Sequence, residues 1–176
     1  MTDTLRTDII RLVDDPVLRT PTEPVTDFGP DLTQLVARMN RVMTLAEGVG
    51  LAANQIGVSL RVFVYDLGDG RSGHVVNPTL LVDPAADIVN DQEGCLSLPG
   101  QHHLTPRADL ATVSGVDVEG RPIEVSGDGW MARCLQHEVD HLDGVVYLDR
   151  LDPKTRRAAL DVFYSPGDDP RPRSRL

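Results

Sequence analysis

Residues 137–141 read His-Glu-Val-Asp-His, and no other stretch limits the architecture as tightly. Four of the five side chains are polar, yet they lie within Trp130 to Leu142, a segment long enough for one helix. On a helix, four residues amount to about 400° of rotation and about 6 Å of rise, so both imidazoles leave the same face one turn apart. That separation lets two ring nitrogens reach one metal ion at about 2.0–2.1 Å each. Glu138 points off that axis, beside the ion, where a carboxylate suits the role of base toward a water. Taken alone, the pattern also fits two ordinary, partly buried histidines. Unpaired buried polar groups cost about 1–3 kcal/mol each, however, so these side chains need partners, and a metal supplies one.

Two histidines do not complete a site. A metzincin would continue to a glycine at 144 and a third histidine at 147; Gly144 is there, but Tyr147 is not a ligand of that type. The third ligand must come from elsewhere, and the candidates are Cys95, His74, His102, His103 or a carboxylate. Cys95 is favoured on chemistry, because a thiolate binds divalent transition metals strongly and the metal itself promotes its deprotonation. An isolated cysteine is more often a small buried hydrophobe, so its neighbourhood has to decide.

The rest of the chain predicts an α+β fold. Leu32, Leu35, Val36, Met39, Val42 and Met43 recur at helical spacing from Asp31 onward, before Gly48-Val49-Gly50 breaks the pattern. Arg61–Asp66, His74–Val76, Thr79–Val82, Ala111–Val118 and Pro122–Val125 read as strands, with Glu119-Gly120 as a hairpin turn. Gly144 sits where the His-Glu-Val-Asp-His helix should stop, and Asp152-Pro153 reads as an N-cap and first helical position opening a last helix toward Phe163. Residues 14–30, with four prolines, are expected to be an extended, irregular lead-in. The expected architecture is small mixed or antiparallel sheets packed around the 130–142 helix, with an N-terminal helix and a short C-terminal one. It forms a single catalytic domain over residues 1–164, with 165–176 a disordered tail.

Composition removes several functional classes. With 176 residues there is room for one domain of ordinary size and no second catalytic one. A formal charge of −10 and no basic run before the tail argue against DNA or generic nucleic-acid binding. No apolar stretch of about 18 residues exists to span a membrane. Residues 1–11 lack the apolar region of a secretory signal, and two cysteines make no disulfide framework. The expectation is a soluble, cytoplasmic protein.

Three segments then fall into place together: Gly48-Val49-Gly50-Leu51-Ala52-Ala53-Asn54-Gln55, Glu93-Gly94-Cys95-Leu96-Ser97, and Gln136-His137-Glu138-Val139-Asp140-His141. In this order they closely resemble the signature motifs of the bacterial peptide deformylases, GxGLAAxQ, EGCLS and QHExDH, and no key position departs from them. The resemblance implies that Cys95, His137 and His141 are the metal ligands, with a water in the fourth place. It implies that Glu138 is the general acid/base, and that Gln55 and the Leu96 N–H are the oxyanion donors. It further implies one divalent ion, usually Fe²⁺ in the cell, with Ni²⁺, Co²⁺ or Zn²⁺ able to substitute, and removal of the N-formyl group from formylmethionyl nascent chains. Substrate contacts are expected from Val49, Gly50 and Gly94, the glycine-rich main chain pairing with the peptide like an added strand. Glu93 and Asp140 are expected to orient ligands, with Arg107 paired to a nearby acid. Trp130 is either a wall of the methionine pocket or an aromatic core residue. The alternatives are a metal-dependent peptidase of the His-Glu-x-x-His type and a catalytically silent ribosome-binding relative. Arg171, Arg173 and Arg175 would offer the tail a transient ribosome contact, although a solvated end is the plainer reading.

Overall fold

A computed structural model describes residues 10–165. The first nine residues and residues 166–176, with the tail arginines, lie outside the described residues, and so do the expectations placed on them. Helix α1 spans Pro30–Leu45, with proline at its first turn and Leu32, Val36, Met39, Val42 and Met43 on its buried stripe. Strands β1 (Gly50–Ala52), β2 (Val62–Asp66), β3 (Ser72–Leu81), β6 (Leu110–Val116) and β7 (Pro122–Asp128) form one antiparallel sheet in the order β1-β2-β3-β6-β7. Strands β4 (Ile88–Cys95) and β5 (Leu98–Ala108) form a separate two-stranded hairpin. Helix α2, Gly129–Leu142, touches strands of both sheets, and helix α3 runs from Pro153 to Phe163.

Two of the sequence expectations merge. The runs at 74–76 and 79–82 are one strand, β3, continued across Pro78 by a register shift between Val76 and Thr79. An irregularity of this kind is where a sheet tolerates a proline, since no ladder hydrogen bond is asked of it. The 14–30 lead-in is largely irregular, as expected, but contains a short 3₁₀ turn at Pro16–Arg19 and a bridge from Glu23 to Leu60. The β4–β5 hairpin was not legible. Its strands read Ile-Val-Asn-Asp-Gln-Glu-Gly-Cys and Leu-Pro-Gly-Gln-His-His-Leu-Thr-Pro-Arg-Ala, without the apolar alternation of a half-buried strand.

The core has three parts. Helix α1 packs Val36, Met39 and Met43 against Val62 and Val64 of β2, while α2 packs Met131, Leu135 and Val139 against Phe63, Val75 and Val113. Leu18, Leu98, Tyr147, Leu148 and Phe163 close the far end. Every residue of α2 from Met131 to Leu142 is buried, the polar ones included. Its C-terminus is set by Gly144, whose positive φ of 75° and contact with the Arg19 carbonyl (a Cβ would stand 2.9 Å away) leave room for no other residue. Asp152 caps α3 by accepting from the Lys154 and Thr155 N–H groups.

Candidate metal centre and active-site cavity

The buried polar residues of α2 meet the hairpin at one point. Cys95 Sγ, from the end of β4, lies 3.2 Å from His141 Nε2, and the Nε2 atoms of His137 and His141 lie 3.2 Å apart. Among the described residues this is the one group of three or more such side chains whose ligand atoms converge, all within 4.8 Å of one another. Two nitrogens and a sulfur at about 2.0–2.3 Å from a tetrahedral ion would be separated by roughly 3.3–3.6 Å, so the donor set fits one divalent metal. The other candidate ligands stand apart. His74 accepts from the Val118 N–H, half-buried and held below its usual pKa by desolvation; His103 stacks on Tyr147 and bonds Gln101. His102 faces Gly94 across the hairpin, and no part of it joins the cluster.

Charge explains why Cys95 suits a ligand and the other cysteine does not. Burial would raise both thiols. At Cys95 the adjacent His141 and His137 overcome it and hold the thiol well below its ordinary value, favouring the thiolate. At Cys134 nothing offsets burial, and the nearby Glu138 and Glu93 carboxylates push its pKa higher still.

Behind the histidines runs a buried ionic network. Glu93 Oε1 accepts from His137 Nδ1 at 2.7 Å and from Arg107 Nη2 at 2.6 Å. Arg107 also donates to Asp140 at 2.6 Å, and Arg150 holds Asp140 from the other side at 2.5 and 3.0 Å. The carboxylate behind His137 fixes the ring's tautomer with Nε2 free, the arrangement typical of histidines that ligate metals. Desolvation works against the charge on Glu93, yet His137 and Arg107 keep it far below the usual carboxylate range. Arg107 therefore pairs with both acids expected to orient ligands.

Glu138 is the exception. It is buried, its Oε2 has no hydrogen-bond partner, and desolvation pushes its pKa up to about 7. It opens into a cavity of about 510 Å³ that also exposes Val49, Gly50, Gln55, Gly94, Cys95, Leu96, Trp130 and His137. Gln55 is oriented by accepting from the Ala52 N–H at 2.9 Å, and its Nε2 points to Ser97 Oγ at 3.1 Å and Cys95 Sγ at 3.6 Å. Trp130 is 56% exposed, so it belongs to the cavity wall and not to the core. The residues proposed from sequence thus line one cavity, except His141, which is buried just behind Cys95 and His137. Sequence reasoning missed Arg133, whose signal was a charge amid the apolar Met131, Ala132, Cys134 and Leu135. It also missed Asn54, which donates to the His141 carbonyl at 2.5 Å and steadies the end of α2.

Comparison with known proteins decides the family. The profile described as polypeptide deformylase matches residues 7–157. The chain belongs to the polypeptide deformylase family. A peptide deformylase of Acidothermus cellulolyticus is 54% identical over 151 residues, 86% of this chain and 82% of that one. Peptide deformylase 2 of Streptomyces avermitilis is 55% identical over 155 residues, with 86% and 83% covered. Among solved structures, the peptide deformylase of Thermus thermophilus superposes with a TM-score of 0.81 at 43% identity, covering 88% of this chain and 91% of that one. The Synechococcus elongatus peptide deformylase in complex with actinonin gives 0.82 at 37% identity, covering 87% and 85%. These deformylases share the α+β arrangement described above, and the family's metal dependence agrees with the Cys95–His137–His141 cluster. No described helix is long and apolar enough to cross a membrane.

Proposed function

We propose that this chain is a cytoplasmic peptide deformylase, a single catalytic domain over residues 1–164 that hydrolyses the N-formyl group of formylmethionyl nascent peptides and releases formate. The observation that carries the reading is the convergence of Cys95, His137 and His141 at the wall of the cavity into which the buried Glu138 opens, one of its oxygens without a partner. Those three side chains would hold a divalent ion, Fe²⁺ in the cell, with Ni²⁺, Co²⁺ or Zn²⁺ able to take its place. When bound, the ion supplies Lewis acidity that brings the ionisation of a water toward neutral pH.

The chain's own groups do the rest. Glu138 accepts the proton of the attacking water and returns it to the methionine nitrogen as the C–N bond breaks, so that formate and a free amino group leave. Its raised pKa suits a group that must both take and give a proton near neutrality. Gln55 Nε2 and the Leu96 N–H donate to the oxygen that gains charge as the formyl carbon turns tetrahedral, each such donor typically contributing about 2.7–4 kcal/mol. Val49, Gly50 and Gly94 line the side along which the peptide would lie, and Trp130 bounds the pocket for its methionine.

Gly50 is required for a steric reason. A Cβ there would collide with Glu138 Oε1 and stand 2.8 Å from its Cδ. Gly50→Ala is expected to displace the carboxylate and lower formate release by about 10²-fold, the scale of an ångström-sized misplacement. Rates within twofold of wild type would mean that Glu138 can work from a different rotamer.

The deciding assay is formate release from formyl-Met-Ala-Ser by Ni²⁺-loaded or anaerobic Fe²⁺-loaded protein, before and after chelation. Release that stops on chelation and returns with the ion supports the reading. Cleavage of the Met-Ala bond would support a peptidase instead, and inertness of a folded, loaded protein a silent relative.

A further inference from the structure

One buried charge has no part in that mechanism. Arg133 lies on α2 one turn before His137, with its side chain 8% exposed. Nη1 donates to Glu93 Oε2 at 2.9 Å and to the Thr105 carbonyl at 2.8 Å, and Nη2 donates to the Val89 carbonyl at 3.1 Å. A guanidinium is costly to bury, and its neighbours in sequence on the helix are apolar. Glu93 does not need it for neutralisation, because Arg107 already binds both carboxylate oxygens, through Nε at 3.0 Å and Nη2 at 2.6 Å.

What Arg133 adds is a different anchor. Arg107 is carried by β5 and reaches α2 only at Asp140, whereas Arg133 ties the carboxylate directly to the helix that carries His137. Oε1 then receives His137 Nδ1–H and Arg107, and Oε2 receives Arg107 and Arg133, so the carboxylate is fixed about its last torsion from both sides. We propose that Arg133 is a positioning residue, locking Glu93 to α2 so that the His137 ring is held with Nε2 toward the metal site. The proposal rests on the reading of His137 as a metal ligand. Its mechanism is orientation: the Glu93 carboxylate aims Nε2 by accepting from the opposite ring nitrogen, Nδ1–H, and Arg133 acts only through it.

The test is Zn²⁺ affinity of the full chain, measured by competition with a chromophoric chelator and requiring no turnover. Arg133→Met is expected to weaken binding by roughly tenfold or more, the usual scale for losing a group that orients a ligand. Arg133→Lys, which can still reach Glu93 with one charged donor, should recover most of it. Adding Arg133→Met to Glu93→Gln should cost nothing further. Unchanged affinity in Arg133→Met overturns the proposal. So does an equal loss with and without Glu93, because Arg133 would then be only a pin on the Val89 and Thr105 carbonyls of the hairpin. If Arg133→Met does not fold, Arg133→Gln carries the same comparison. His137→Ala binding Zn²⁺ as tightly as wild type would remove the ligand reading itself, an outcome distinct from a silent Arg133.

Discussion

Replacing Glu138 by Gln is expected to lower formate release from formyl-Met-Ala-Ser by about 10²–10⁴-fold, the range for removing a general acid/base. Gln keeps the volume and the polar tip but can neither take nor return a proton. Fold and metal content should persist. Glu138 is buried with an oxygen lacking a partner, and burial disfavours its charged form, so a neutral amide removes an unfavourable charge and leaves the packing. A melting temperature equal to or slightly above wild type, beside the collapsed rate, is the expected pair of results. A variant retaining a tenth or more of the activity would show that the proton travels by another route.

The second large effect is on stability. Arg107 is 4% exposed and donates to Glu93 and Asp140 at once. Arg107→Met removes the shared cation from two buried carboxylates, and breaking a buried pair in this way costs about 3–5 kcal/mol. Arg133 still holds Glu93 and Arg150 still holds Asp140, which places the expectation at the lower end, about 3 kcal/mol. At roughly 2–4 °C per kcal/mol for a chain of this size, the melting temperature should fall by roughly 6–12 °C. Urea unfolding of the metal-free variant is the measurement, so that the loss is not confused with lost ion binding. A change below about 1 kcal/mol would mean that the two remaining arginines suffice.

Much of this was legible where periodicity or capping chemistry is strong. The apolar stripe from Leu32 to Met43, the Asp152-Pro153 start and the Gly144 stop each follow from local physics, and the helices lie where those signals put them. The convergence of Cys95, His137 and His141 was legible for a different reason: residues one helical turn apart must share a face, and the motif around Cys95 supplied the partner. The hairpin that carries Cys95 was not. Its strands are polar and largely exposed, with prolines at 99 and 106 on a strand that has only one neighbour. Ionic contacts from Glu93, Arg107 and Arg133 tie this unit to α2, and pairing among residues so distant in sequence has no local signature.

That placement has a thermodynamic consequence. Two of the three proposed ligands ride on α2 and the third on the hairpin, so an ion held by all three would be a cross-link between separately built parts of the chain. Occupancy and folding are then one linked equilibrium: each tenfold rise in free ion above its dissociation constant adds about 1.4 kcal/mol to the native state. The abundance of such an enzyme would follow the supply of its ion as closely as its rate does, because the apo chain is the less stable one and the first to meet proteases.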